Sequence, residues 1–162
     1  MRSPGRGHTG KVARGGIHHR FSLASAREAA DDGRLAQWVG EFLASPGSNN
    51  AVLAAALAQR RHRWFGPVLV PVDELVRLAG PEDDALVTVD DDVWEHDVAG
   101  MEDGLDEGWE PPPLLAEWRH AELLLQDGNH RFDALVRAGE SEVWVIVYSD
   151  DPFATLDDRL RG

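Results

Sequence analysis

The chain has 162 residues, 43% apolar and 28% charged, with no cysteine and a formal charge of −13, and it reads as one soluble globular domain with a short appendage. A domain of about 150 residues buries enough surface to need no disulfide or structural metal. The lack of cysteine excludes a thiol nucleophile, a disulfide redox pair, Cys-ligated zinc and an iron–sulfur cluster.

Lys11 is the only lysine, so a Schiff-base or P-loop lysine in the folded body is excluded as well. No apolar run reaches the roughly 20 residues of a membrane helix, and no signal-like stretch opens the chain, so a cytoplasmic location without membrane contact is expected.

Residues 1–20 hold Arg2, Arg6, Lys11, Arg14 and Arg20 with no acid, which predicts a flexible basic tail. Residues 22–64 predict a helical subdomain of two or three helices. Leu35, Val39, Phe42 and Leu43 share one helical face. After the Ser45-Pro46-Gly47 break, Val52, Leu53, Ala56 and Leu57 share another, capped by Ser48 or Asn49. Val68-Leu69-Val70-Pro71-Val72 predicts a strand, and Asp73 a cap for a brief helix from Glu74 to Leu78. Residues 82–110 carry thirteen acids and no Arg or Lys, the whole of the net charge. With Gly100, Gly104 and Gly108 they read as a solvated acidic loop.

Past Pro111-Pro112-Pro113 the spacing predicts a hairpin over 114–126, then a helix after Asp127-Gly128-Asn129 that ends at Ala138-Gly139. A strand over 142–148 follows, with Val143, Val145 and Val147 on one face and Trp144, Ile146 and Tyr148 on the other. The expected fold class is α+β: a small mixed sheet with packed helices over 67–150, and a C-terminal tail over 151–162.

The stretch from Leu123 to Leu135 carries the most chemistry. A strand that enters a helix through glycine leaves the backbone N–H groups of residues 129–131 at a positive dipole end, an anion site. Arg131 adds a guanidinium that can hold a phosphate through two bonds, and His130 a further donor. The same residues also fit a bland reading, in which Asp127 caps the helix and Arg131 pairs with a surface acid.

Asp127-Gly128-Asn129-His130-Arg131, with Ala134, Ala138-Gly139 and the strand Val143 to Val147, resembles the ParB/sulfiredoxin superfamily. Val70-Pro71-Val72-Asp73-Glu74-Leu75 is similar to that domain's opening strand and short helix, and Pro112-Pro113-Leu114-Leu115 to its second strand. The resemblance implies that Gly128, Asn129, His130 and Arg131 bind nucleotide phosphates, with ATP, ADP or CTP as the cofactor. Sulfiredoxins carry a cysteine where this chain has Asn129, so their chemistry is not expected here. Partitioning proteins continue into a helix-turn-helix and a dimerisation domain, so DNA binding is not expected either. Stand-alone kinase-like members carry a D-G-H-x-R turn, similar to Asp127–Arg131 with the His shifted by one place. On that likeness Asp127 would hold Mg²⁺ or orient a substrate hydroxyl, and Glu74 would be the general base. Glu74 also fits a solvated acid in a first helical turn.

Other signals lead nowhere firm. Gly5 to Lys11 matches a Walker A pattern, but Val12 replaces its Ser/Thr and no strand precedes it. His8, His18 and His19 sit in the predicted tail, and Asp90-Asp91-Asp92 lacks the spacing of a calcium loop. Arg60-Arg61-His62-Arg63-Trp64 fits a helix C-terminus as well as a phosphate contact. The leading expectation is a nucleotide-binding domain acting as a Mg²⁺-dependent phosphotransferase or nucleotide hydrolase on a small phosphoryl acceptor. The other is a non-catalytic adaptor whose acidic segment binds a basic protein.

Overall fold

The structure, a computed structural model, describes residues 20–77, 79–80, 87–88, 91–152 and 154–155. Residues 1–19 of the predicted basic tail, with the Walker-like stretch, His8, His18 and His19, and also Asp90 lie outside the described residues; Arg20, the last residue of that tail, pairs with Glu41 at 3.5 Å.

Among the described residues three helices come first: α1 (Leu23–Asp31), α2 (Leu35–Ala44) and α3 (Ala51–Ala58). Ser22 and Ser25 close a reciprocal cap on α1, each backbone N–H donating to the other's hydroxyl at 2.9 and 3.1 Å. Asn50 caps α3, in place of the expected Ser48 or Asn49, by accepting from the Leu53 N–H. Strand β1 (Arg63–Pro71) passes through a single turn of 3₁₀ helix (Val72–Glu74) into β2 (Leu75–Arg77). Of the helix expected from Glu74 to Leu78, Glu74 ends the 3₁₀ turn, Leu75–Arg77 form a strand instead, and residue 78 lies outside the described residues. Leu75 is buried and pairs with Leu123 of the sheet, so tertiary pairing overrides the cap signal at Asp73.

Two residues of β3 (Ala79–Gly80) pair in parallel with β4 (Val87–Thr88). Helix α4 (Asp91–Asp106) follows, then the hairpin β5 (Leu114–Arg119) and β6 (Glu122–Asp127), α5 (Asn129–Arg137) and β7 (Glu142–Ser149). The main sheet has five strands in the order β1-β7-β5-β6-β2, with β5/β7 and β2/β6 parallel and β1/β7 and β5/β6 antiparallel. This is the expected mixed sheet with packed helices.

Alternation along β7 builds two cores. Ile146 and Tyr148, with Leu115, face Phe21, Trp38, Phe42 and Leu43 of the N-terminal helices. Val143, Val145 and Val147 face the other way, toward Leu123, Leu125, Phe132 and Leu135. At the edge of β1, Gly66 has φ +98° and its absent Cβ would lie 2.8 Å from the Val145 carbonyl, so only glycine fits this bulge.

The acidic segment is a helix over 91–106 and not a loop. Trp94, Val98, Met101 and Leu105 recur at helical spacing and pack on Ala134 of α5. Arg137 clamps it from α5, donating to both oxygens of Glu95 at 2.7 and 2.6 Å. Those hydrogen bonds hold Glu95 below the usual carboxylate range. Stability from this clamp is thus fully present above the ordinary Glu value of about pH 4.3 and is lost as pH falls through the lower folded-state value. The Tm advantage of wild type over Arg137→Gln is expected to narrow as pH drops through that window; an advantage that widens on acidification contradicts the clamp. Among the described residues, no helix is long and apolar enough to cross a membrane.

Candidate functional site

β6 delivers the chain to Asp127, Gly128 turns it, and α5 begins at Asn129. Gly128 has φ +96°, the left-handed region. A Cβ there would lie 2.6 Å from Leu114 Cδ2 and 2.8 Å from Arg131 Nη2, so conformation and space both require glycine. Gly128 is also the N-cap, and among the described residues no side-chain cap hydrogen bond is made there. The first intrahelical bond runs from the Phe132 N–H to the Gly128 carbonyl at 2.8 Å. The amides of His130 and Arg131 thus precede the ladder, at the positive end of the dipole. Asp127 does not cap α5.

Arg131 points inward and is 6% exposed. Its Nη2 donates to Asp127 Oδ2 at 3.3 Å and to the Pro113 carbonyl at 3.4 Å, and its guanidinium lies 5.2 Å from the centre of the Phe42 ring. Burial pushes its pKa down, and the charge of Asp127 opposes that shift. The buried Nε–H finds no hydrogen-bond partner among the described residues. Arg131 also lines a cavity of about 190 Å³ with Phe42, Ser45, Met101, Trp109 and Pro112. The surface ion pair that the bland reading gives Arg131 is replaced by this enclosed one.

Asp127 is 7% exposed, and its Oδ1 accepts from Ser48 Oγ at 3.2 Å and Asn50 Nδ2 at 3.1 Å. With Oδ2 paired to Arg131, both carboxylate oxygens are engaged within the protein, so a Mg²⁺ held by Asp127, as the sequence suggests, would share oxygens that Ser48, Asn50 and Arg131 already contact. Among the described residues, no group of three His, Asp or Glu could hold a metal ion.

Asn129 and His130 are partly exposed at the mouth of the turn. The His130 ring stacks on Trp94 of α4, centroids 4.2 Å apart at 29°, with Nε2 3.5 Å from Asp97 Oδ2. Trp94 Nε1 donates to Asp133 Oδ2 at 2.6 Å, which fixes the indole against α5. The acidic helix therefore forms one wall of the site and sets a carboxylate beside it.

Glu74 does not join them. It immediately precedes Leu75, the partner of Leu123, so it lies level with Glu122 at the start of β6. Asp127 is five residues further along that strand, about 16 Å away at the usual rise. Sequence reasoning missed Ser48, Asn50, Trp94 and Asp97. The first two reach Asp127 across 79 and 77 residues, which no local pattern encodes. Trp94 was legible in the apolar spacing from Trp94 to Leu105.

No family model matches the chain, and no curated protein matches it. Among solved structures it is similar to the pNOB8-like ParB N-domain in two structures, with TM-scores of 0.36 and 0.33 at 21% and 22% identity. Each match covers 56% of this chain and 30% or 29% of the other. It is also similar to the C-terminally truncated chromosome-partitioning protein ParB from Caulobacter crescentus complexed with CTP-γ-S, with a TM-score of 0.37 and 22% identity. That match covers 59% of this chain and 48% of that one, so this chain spans less than half the length of each of these structures.

Proposed function

We propose that the chain binds a nucleotide through its phosphates at the Gly128–Arg131 turn. The observation that carries this reading is the helix start itself: a left-handed glycine N-cap, which brings no capping side chain of its own, with the His130 and Arg131 amides ahead of the ladder. Asn129 and His130 stand at the mouth, His130 with its Nε2 turned toward Asp97. Arg131 lies beneath and contributes positive charge from a position fixed by Asp127, in place of the two-bond phosphate contact the sequence suggests. The geometry supports binding better than turnover, because Asp127 is enclosed and Glu74 stands at the far end of β6.

Thermal unfolding with ATP, ADP, CTP and GTP tests the reading in wild type and Asn129→Glu. A carboxylate in the first turn suits the helix dipole, so the variant is expected to fold, while its charge repels phosphate. A nucleotide at 100 times its Kd is expected to stabilise wild type by about 2.7 kcal/mol and to leave the variant unmoved. Equal stabilisation of both, or of neither, contradicts the proposal.

One observation favours a second reading. Asp97, Asp103 and Asp106 are exposed on α4, which carries no Arg or Lys, and such a face suits a basic protein. On that reading an arginine-rich peptide binds with strong salt dependence, and Asn129→Glu leaves its affinity unchanged.

A further inference from the structure

The turn at Gly128 offers an anion less positive charge than its residue types suggest. Each basic side chain of α5 already faces an acid: Arg131 meets Asp127 at 3.3 Å, Arg137 meets Glu95 at 2.6 Å, and His130 Nε2 meets Asp97 Oδ2 at 3.5 Å. The first two pairs are hydrogen-bonded. The third is not, for His130 Nε2 is buried and makes no hydrogen bond among the described residues. At 3.5 Å the Asp97 carboxylate is too loosely placed to satisfy that nitrogen, yet close enough to act on any charge beside it.

The two side chains are held differently. Trp94 is fully buried, stacks on the His130 ring and donates to Asp133, so the imidazole cannot swing aside without breaking that stack. Asp97 lies three residues further along α4, on the same face, and its side chain is half exposed. The ring is thus fixed behind and the carboxylate stands in front. A phosphate oxygen that reaches His130 Nε2 must displace Asp97, and a phosphate held by the backbone amides alone lies beside a second negative charge. Coulomb repulsion from that charge grows in step with the charge of the ligand.

We infer, resting on the nucleotide reading above, that Asp97 sets the charge selectivity of the turn: it competes with the ligand's phosphate for His130 and narrows the advantage of a triphosphate over a monophosphate. Isothermal titration of the full chain with AMP, ATP, CMP and CTP, in metal-free buffer at fixed ionic strength, tests this in wild type, Asp97→Asn and Glu122→Gln. Glu122 is exposed at the opposite end of β6 from Asp127, so its change removes the same charge away from the turn. Asp97→Asn is expected to tighten triphosphate binding at least about tenfold and monophosphate binding about threefold, and Glu122→Gln to leave both within about twofold of wild type. Circular dichroism of both surface variants should match wild type. A gain in Asp97→Asn no larger than in Glu122→Gln, or equal for monophosphate and triphosphate, overturns the inference and leaves phosphate binding at the turn standing. No saturable heat with any of these nucleotides, in wild type or in Asp97→Asn, overturns the nucleotide reading and this inference with it.

Discussion

Asp127→Ala is expected to destabilise the protein by about 3–5 kcal/mol, the usual consequence of removing one partner from a buried ion pair. The change leaves the Arg131 guanidinium 6% exposed without the carboxylate that now faces it at 3.3 Å. It also deprives Ser48 Oγ and Asn50 Nδ2 of their shared acceptor, and with it the bond between the α2–α3 loop and the end of β6. Denaturant unfolding of Asp127→Ala, Arg131→Met and the double variant measures the coupling. The double variant should be less destabilised than the sum of the two single changes, because no buried charge remains unmatched. Strict additivity contradicts the pairing.

Gly128→Ala is the second large effect. A non-glycine residue at φ +96° is strained, and the new methyl would also press on Leu114 Cδ2 at 2.6 Å and Arg131 Nη2 at 2.8 Å. Strain and overpacking together are expected to cost about 2–4 kcal/mol, a fall in Tm on the order of 10 °C. Gly139→Ala is the matched control. That glycine ends α5 at φ +89° with nothing within 4 Å of its absent Cβ, so only the conformational part applies. Calorimetry should therefore rank Gly128→Ala well below Gly139→Ala in Tm. Equal losses would show that the crowding at Arg131 relaxes freely.

The parts of this fold that local rules govern were legible in the sequence. The alternation of Val143, Val145 and Val147 against Ile146 and Tyr148 assigns the two faces of β7 to two separate cores. The Gly128 and Gly139 signals bracket α5. What failed did so for identifiable reasons. Three glycines between 100 and 108 read as loop punctuation, yet the stripe from Trp94 to Leu105 buries enough surface on α5 to hold a helix. Leu75 pairs into the sheet despite a capping residue two positions earlier. The inward turn of Arg131 is set by Phe42, Pro113 and Asp127, two of them remote in the chain, so its residue type and position were readable and its direction was not.

The central claim is that phosphate meets the backbone at the start of α5, and amide NMR with CTP, ATP and ADP tests it most directly. The account expects saturable shifts that are largest at the N–H groups of Asn129, His130 and Arg131 and absent in Asn129→Glu. Shifts confined to other surfaces, such as Arg60 and Arg61, or no saturable shift with any of the three nucleotides, would contradict it.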